Sequence, residues 1–457
     1  MPEKSYHNIH MIAIGGSAMH NLALALQKNG FNITGSDDKI YEPSRTRLAE
    51  AGILPETEGW DPSRISEDTD LVILGMHAKE GNPELEKARE LGIKIMSMPE
   101  YVYEASKNKQ RIVIGGSHGK TTITSMVMHV LQHVKKEFDY FVGAQVPDFD
   151  IMVRLSDAAV IVIEGDEYLS SAVDPVSKFL RYHHHIGVIS GIAWDHANVF
   201  PEFENYLKQF EDFADQTPKA GTLIYNREDD HTKTIGEKNR DDVASIAYGT
   251  HPHRIRDGKA FLVTDFGEIE VQFFGAHNMS NLCAAKEICK QLCIVDLDFY
   301  EAIRSFRPAQ RRLELLAEND TQSFYRDFAH APSKVKASVS ALKSLRPERN
   351  LLAILELHTF SSLQESFVKE YRNSLDPADI AVVFLDKEVV ELKGNKAFSE
   401  QEIRVAFANS NIRVFYNADD LNRFLIEQEK ENTDVVFMSS GNFGNLDINS
   451  WISKLAI

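Results

Sequence analysis

Cysteine is scarce in this chain: its 457 residues hold three, Cys283, Cys289 and Cys293, all on one predicted helix. A disulfide framework is excluded, and the three read as buried, small apolar residues of a reducing compartment. Cys289 and Cys293 stand one helical turn apart and could share a metal, but no fourth ligand accompanies them. Long hydrophobic runs are also missing, and no signal peptide precedes the first strand. The expectation is a cytoplasmic protein with no membrane partner. Positive charge is in deficit, with 50 Lys and Arg against 68 Asp and Glu, for a net charge of −18. That argues against a nucleic-acid or anionic-membrane surface and leaves room for local sites that bind small anions. Long repeats and low-complexity segments are absent.

With 43% hydrophobic and 26% charged residues, the chain can build an ordinary core, and its length implies about two to four domains. Its most informative stretch runs from Arg111 to Thr122. Arg111 to Ile114 is a β-branched run that reads as a buried strand. It breaks into Gly115, Gly116, Ser117, His118, Gly119, Lys120 and Thr121, and a helical pattern follows from Thr122 to Val134. Strand, glycine turn and helix N-terminus form an arrangement that holds phosphates, through freed backbone N–H groups and the helix dipole. Lys120 would reach the terminal phosphates and the Thr121 hydroxyl would ligand magnesium. The spacing departs from the general phosphate-loop pattern, because Ile114 stands where the first glycine belongs.

Upstream, Ile9 to Ile14 reads as a strand, Gly15 to Ser17 as a turn, Ala18 to Lys28 as a helix and Phe31 to Gly35 as a second strand. Ser36, Asp37 and Asp38 end that strand, as in the opening unit of a Rossmann-like domain. Only Gly16 fits the dinucleotide fingerprint, so a nucleotide other than NAD is the stronger reading. The polar stretch from Ser106 to Gln110 reads as a linker. Downstream, the strand Ala159 to Glu164 runs into Gly165, Asp166 and Glu167, acids suited to magnesium or equally to a solvated turn. The strand Ile186 to Ile189 leads to Trp194, Asp195 and His196. The tract His183 to His185 reads as a polar strand entrance, since three adjacent residues in a strand cannot face one ion. Short strands and hairpin turns recur from Thr222 to Phe274, and Asn278 and Asn281 open a helix. After Pro308 helices and strands alternate in a further α/β pattern that ends in a turn-rich loop from Ser439 to Asn445.

Together these residues resemble the Mur ligase family, ATP-dependent amide-forming enzymes of peptidoglycan synthesis, over nearly the full length. The family's motifs occur in order. They are the phosphate loop from Gly116 to Thr122, the strand-end Glu164, Asp195 with His196, then His277 and Asn278 with Asn281, Arg312 with Glu314, and Asp327 with His330. The loop from Ile14 to Met19 looks like the UDP-binding loop of the branch that uses UDP-N-acetylmuramate itself as acceptor. The segments from Asp174 to Tyr182 and from Met438 to Gly444 are similar to ligases that attach the recycled tripeptide L-alanyl-γ-D-glutamyl-meso-diaminopimelate. The L-alanine-adding ligase of primary synthesis is the alternative. Leu357 to Leu363 departs from the loop common among recycling ligases.

The resemblance implies an α/β chain of three domains: residues 1–107, Rossmann-like and UDP-binding; 108–308, a central P-loop ATPase domain; and 309–457, Rossmann-like, binding the incoming peptide and part of the nucleotide. It implies ATP and Mg²⁺ as cofactors, and UDP-N-acetylmuramate and a short peptide as substrates. Lys120, Glu164 and His196 would be catalytic, with Thr121, Glu164 and His196 holding metal. Gly116, Ser117, His118, Gly119, Lys120, Thr121, Thr122, Asn281, Arg312, Asp327 and His330 would bind the nucleotide. Gly16, Ser17, Ser36, Asp37 and His77 would line the UDP site. No pattern specifies an oligomeric state.

Overall fold

Short Ile-, Val- and Leu-rich runs separated by helical segments favour parallel sheets, whose two faces are covered by crossover helices. The computed structural model describes residues 6–171, 173–195, 199–238, 240–394, 396–428 and 431–453. The chain divides into two units. The first comprises Met1–Ile192, Tyr206–Gly249 and Ala284–Ala302; the second comprises Ala193–Asn205, Thr250–Cys283 and Ile303–Ile457.

The first unit holds two sheets. Strands β1 (Asn8–Ile12), β2 (Asn32–Ser36), β3 (Leu71–Leu74) and β4 (Lys94–Ser97) form a parallel sheet in the order β2-β1-β3-β4. The larger sheet contains β5 (Gln110–Gly115), β6 (Asp139–Phe141), β7 (Val153–Arg154), β8 (Val160–Glu164), β9 (Ile186–Ile189), β10 (Thr222–Asn226) and β11 (Ala244–Tyr248). Its order, β11-β10-β9-β5-β8-β6-β7, puts β5 at the centre with β8 and β9 as parallel neighbours. Every residue of Ile112–Ile114, Ile161–Ile163 and Val188–Ile189 is fully buried, as a strand covered on both faces requires.

The stretch after Ser106 is not a slack tether. Arg111, only 5% exposed, threads its guanidinium back beneath it. Its Nη1 donates to the carbonyls of Ser106 (2.9 Å), Lys107 (3.0 Å) and Lys109 (3.3 Å), and its Nε to those of Tyr182 and His183 (both 2.9 Å). The same group lies over the Tyr103 ring at 5.1 Å. Polar composition predicts a linker here; one buried cation satisfies its carbonyls and fixes it.

The second unit holds an antiparallel sheet of β12 (His253–Arg256), β13 (Lys259–Thr264) and β14 (Gly267–Val271), turning at Asp257-Gly258 as the sequence predicts and at Asp265-Phe266, one residue before the predicted Phe266-Gly267. Its main sheet is built from β15 (Glu314–Glu318), β16 (Gln322–Asp327), β17 (Asn350–Glu356), β18 (Ile380–Phe384), β19 (Arg413–Phe415) and β20 (Thr433–Met438). The order is β15-β16-β20-β17-β18-β19, parallel except for β15. One face packs the helix Pro332–Leu345 over Val335, Val339 and Leu342; the other packs Phe324, Phe437 and Trp451.

Two sequence expectations need revision. Cys289 is buried, but Cys293 is exposed and lies past the end of the helix Ala276–Gln291, so the two do not share a face. His184, in the histidine tract, is completely desolvated, its ring tilted against Phe213 at 4.2 Å between centroids and its Nε2 2.9 Å from the Thr217 hydroxyl. Burial pushes its pKa down to about 3, so it is a neutral core residue. Among the described residues no helix is long and apolar enough to cross a membrane.

Candidate active site

The C-terminal ends of β5, β8 and β9 meet at one place, where a parallel sheet presents its loops to ligands. The turn after β5 needs glycine. Gly116 has φ +135°, and a Cβ there would sit 2.1 Å from the Ser190 hydroxyl. Gly119, at φ +82°, is the left-handed residue from which the helix Lys120–His133 starts. Ser190, just past β9, donates to the carbonyls of Gly115 (3.1 Å) and His118. The His118 ring packs on Gly191, where a Cβ would lie 2.2 Å from it.

Lys120 is held from two sides. Its ammonium donates to the Gly116 carbonyl at 2.6 Å and to Glu167 Oε2 at 2.5 Å. Burial alone would lower its pKa; the Glu167 and Asp166 carboxylates outweigh burial and raise it, so the site holds a permanent cation. Glu167, fully buried, also accepts from the Tyr206 hydroxyl at 3.0 Å, which lies 2.7 Å from Ser117 Oγ. One step along the helix, Thr121 donates its hydroxyl to Glu164 Oε1 at 2.7 Å. The acidic run after β8 therefore divides: Glu164 sits with Thr121, Asp166 pairs with Lys178 at 2.7 Å, and Glu167 pairs with Lys120.

These residues fit a nucleotide triphosphate with magnesium. A hydroxyl and a carboxylate form the all-oxygen donor set that Mg²⁺ takes alongside phosphate and water. The glycine cradle admits no side chain at Gly116, and a charged lysine stands beside it. His196, the remaining metal candidate, lies outside the described residues.

The first loop of the chain reaches the same place. Ser17 Oγ donates to the Gly143 carbonyl at 3.1 Å, and the Gly143 amide donates to Glu164 Oε2 at 2.9 Å. Gly16 caps the helix Ser17–Lys28. Ser36 and Asp37 are buried behind this loop: Ser36 donates to Glu84, and Asp37 Oδ2 accepts from the Gly15 amide at 2.8 Å. Burial opposes the charge on Glu84, but His10, Ser36 and the Asp61 amide hold its pKa below the usual carboxylate range. His77 is exposed in the turn after β3.

Burial lifts the Asp37 carboxyl from an ordinary 3.8 to about 6, partly offset by the Gly15 amide. A raised carboxyl favours the protonated fold, so its stabilising share is complete below pH about 4 and lost as pH rises through about 6. Asp37→Asn is therefore expected to gain stability relative to wild type between those limits, by on the order of 2 kcal/mol. Thermal unfolding of both proteins at about pH 4 and about pH 7 measures it, and a pH-independent difference would contradict it.

In the second unit, Asp327 ends β16, with Ser338 donating to it and Arg312 nearby; burial raises its pKa despite both. The Arg312 guanidinium lies 5.3 Å over the Phe328 ring, and His330 Nδ1 is 2.8 Å from the Phe328 carbonyl. Asn281 is buried, its Nδ2 3.4 Å from Asn278 Oδ1. The first unit thus collects Gly116, Ser117, Lys120, Thr121, Glu164 and Ser17, while the second collects Arg312, Asp327 and His330. Thr122 is buried in the helix, its carbonyl accepting from Ser125. Sequence reading did not single out Tyr206, Ser190 or Gly143, and it left Glu167 open between magnesium and a solvated turn; no local signal marks these partnerships, which tertiary packing makes.

Comparison with known proteins gives three consecutive family matches. Residues 8–110 match the model described as Mur ligase family, catalytic domain; 114–289 the Mur ligase middle domain; and 311–441 the Mur ligase, glutamate ligase domain. A UDP-N-acetylmuramate–L-alanyl-γ-D-glutamyl-meso-2,6-diaminoheptandioate ligase of Haemophilus influenzae is 28% identical, over 96% of this chain and 97% of its own. A UDP-N-acetylmuramate–L-alanine ligase of Sulfurihydrogenibium is 32% identical, over 82% of each chain. The crystal structure of a UDP-N-acetylmuramate–alanine ligase from Thermotoga maritima superposes with a TM-score of 0.72, at 20% identity, covering 98% of this chain and 99% of that one.

Proposed function

Since the chain belongs to the Mur ligase family, whose members are ATP-dependent amide-forming ligases, we propose that it joins UDP-N-acetylmuramate to the recycled tripeptide L-alanyl-γ-D-glutamyl-meso-diaminopimelate. The observation that carries this reading is the hydrogen-bonded path from Ser17 through Gly143 and Glu164 to Thr121. It links the loop proposed for UDP-N-acetylmuramate to the loop proposed for ATP, as phosphoryl transfer between their ligands demands.

When bound, ATP activates the lactyl carboxylate as an acyl phosphate, and Mg²⁺ draws charge from the phosphates. The protein's share is position and charge. The amides from Gly116 to Gly119 would cradle the phosphates with Ser117, His118 and Thr122 around them, and Lys120 would neutralise charge gathering on the β- and γ-oxygens. Thr121 and Glu164 would hold one Mg²⁺, and His196 a second one near the carboxylate. Asn281, Arg312, Asp327 and His330 would bind the rest of the nucleotide. Gly16, Ser17, Ser36, Asp37 and His77 would hold the UDP portion. We take residues 1–107, 108–308 and 309–457 as the three functional domains of a cytoplasmic enzyme.

The tripeptide is favoured over free L-alanine by the segment from Asp174 to Tyr182. That segment resembles the recycling ligases in sequence, and within it Arg181 Nε donates to Asp174 Oδ2 at 2.9 Å, with Ser97 Oγ donating to the same oxygen at 3.3 Å. The L-alanine reading keeps support from the relatives that bear that name. ATP-dependent phosphate release with UDP-N-acetylmuramate separates the two. Turnover is expected with the tripeptide and not with L-alanine; the reverse would move the enzyme to primary synthesis, and silence with both would remove either substrate assignment.

A further inference from the structure

The helix Pro332–Leu345 begins with a cation and no acid in its first turn. A lysine there opposes the positive end of the helix dipole, so its place calls for a partner outside the helix. Lys334 Nζ lies 3.2 Å from Asp195 Oδ2, with the Asp195 side chain 8% exposed and that of Lys334 22%. Asp195 belongs to the stretch Ala193–Asn205, which packs with the second unit although the sequence on both sides of it belongs to the first. Its neighbour Trp194 meets Phe367 edge-on at 5.8 Å, against the core under the main sheet, and donates its indole N–H to the Phe200 carbonyl at 3.0 Å. Tyr371, in the same layer, donates its hydroxyl to the His330 carbonyl, and the Asp195 charge adds to the burial that raises its pKa.

We propose that Lys334 is a positioning residue: by pairing with Asp195 it fastens the Trp194–Asp195 segment, which opens the Asp195–His196 motif, to the C-terminal α/β layer. The pair is polar and shielded, while the Trp194–Phe367 contact beside it supplies apolar anchorage. Together they fix the segment in two directions, as one ion pair alone would not. Lys334 itself touches neither nucleotide nor acceptor in this scheme and acts through Asp195. The kinetic half of the proposal rests on the ligase reading; the spectroscopic half does not.

The test uses full-length protein labelled with 5-fluorotryptophan, whose three tryptophans give three ¹⁹F resonances, with Trp194 assigned by Trp194→Phe. Lys334→Met is expected to shift or broaden the Trp194 resonance and leave the other two in place, while Lys334→Arg restores it. In parallel, kcat for phosphate release should fall about tenfold in Lys334→Met, the size of loss that misplacing a catalytic group produces, with KM for ATP within twofold and recovery in Lys334→Arg. An unmoved Trp194 resonance in Lys334→Met overturns the proposal. So does an unchanged kcat, or a Lys334→Arg variant as impaired as Lys334→Met. If the wild type releases no phosphate with any acceptor, the ligase reading fails while the ¹⁹F spectra still decide whether Lys334 fastens the segment.

Discussion

Replacing Lys120 with methionine is expected to lower ATP-dependent phosphate release by at least about a hundredfold, the scale of loss when one preorganised charge-stabilising group is removed. The ammonium sits in the phosphate cradle, and the carboxylates around it keep it charged. The single variant also leaves the buried Glu167 without its counter-ion, which can cost the fold about 3–5 kcal/mol by itself. Lys120→Met combined with Glu167→Gln removes that second effect, because a neutral amide still meets the Tyr206 hydroxyl. The double variant should regain most of the lost melting temperature and none of the lost turnover. Turnover above a tenth of wild type in either variant would show that phosphate charge is neutralised elsewhere.

Arg111→Ala should be the most destabilising single change outside the loops. It strips hydrogen-bond donors from the carbonyls of Ser106, Lys107, Lys109, Tyr182 and His183 in a place where water does not replace them fully. Hydrogen bonds to a charged group contribute about 1.5–3 kcal/mol each and are not additive; a total loss of about 3 kcal/mol or more is expected. Arg111→Lys should recover only part, since one ammonium cannot serve acceptors on both sides of a planar fork. Urea unfolding of the three proteins tests this, and an Arg111→Ala midpoint equal to wild type would remove the group from the list of structural anchors.

The contrast between these two residues shows what a sequence makes legible. Lys120 is readable because its meaning is local: a strand, a glycine turn and a helix start fix its surroundings within a dozen positions. The strands Leu71–Leu74 and Ile186–Ile189 are readable for the same reason, being unbroken β-branched or aliphatic runs. Arg111 is the first residue of that same motif, yet its role depends on carbonyls before and far after it, and polarity alone gave a linker just ahead of it. Glu167 was visible as part of an acidic run, and the run suited metal and a solvated turn equally. Only the packing of the helix Phe203–Asp215, which brings Tyr206 against it, assigns it to Lys120. The short helix Asp230–Gly236 was likewise hidden among residues that read as strands and turns. Ser17 was assigned to a UDP loop by resemblance; its bond to Gly143 joins residues that no sequence window contains.

The central place of β5 also governs the order in which the molecule can assemble. Its two sheet neighbours, β8 and β9, are synthesised well after it, and the turn at its end rests on Ser190 and Gly191, which follow β9. On the ribosome the strand emerges with both edges bare; β8 can cover one of them first, and the other stays open until the chain has grown past residue 191 and cleared the exit tunnel. Parallel pairing across such separations is slow and leaves apolar edges open meanwhile. The nucleotide cradle is therefore a late product of synthesis, and a nascent chain halted before β9 carries the whole glycine motif with no means of shaping it.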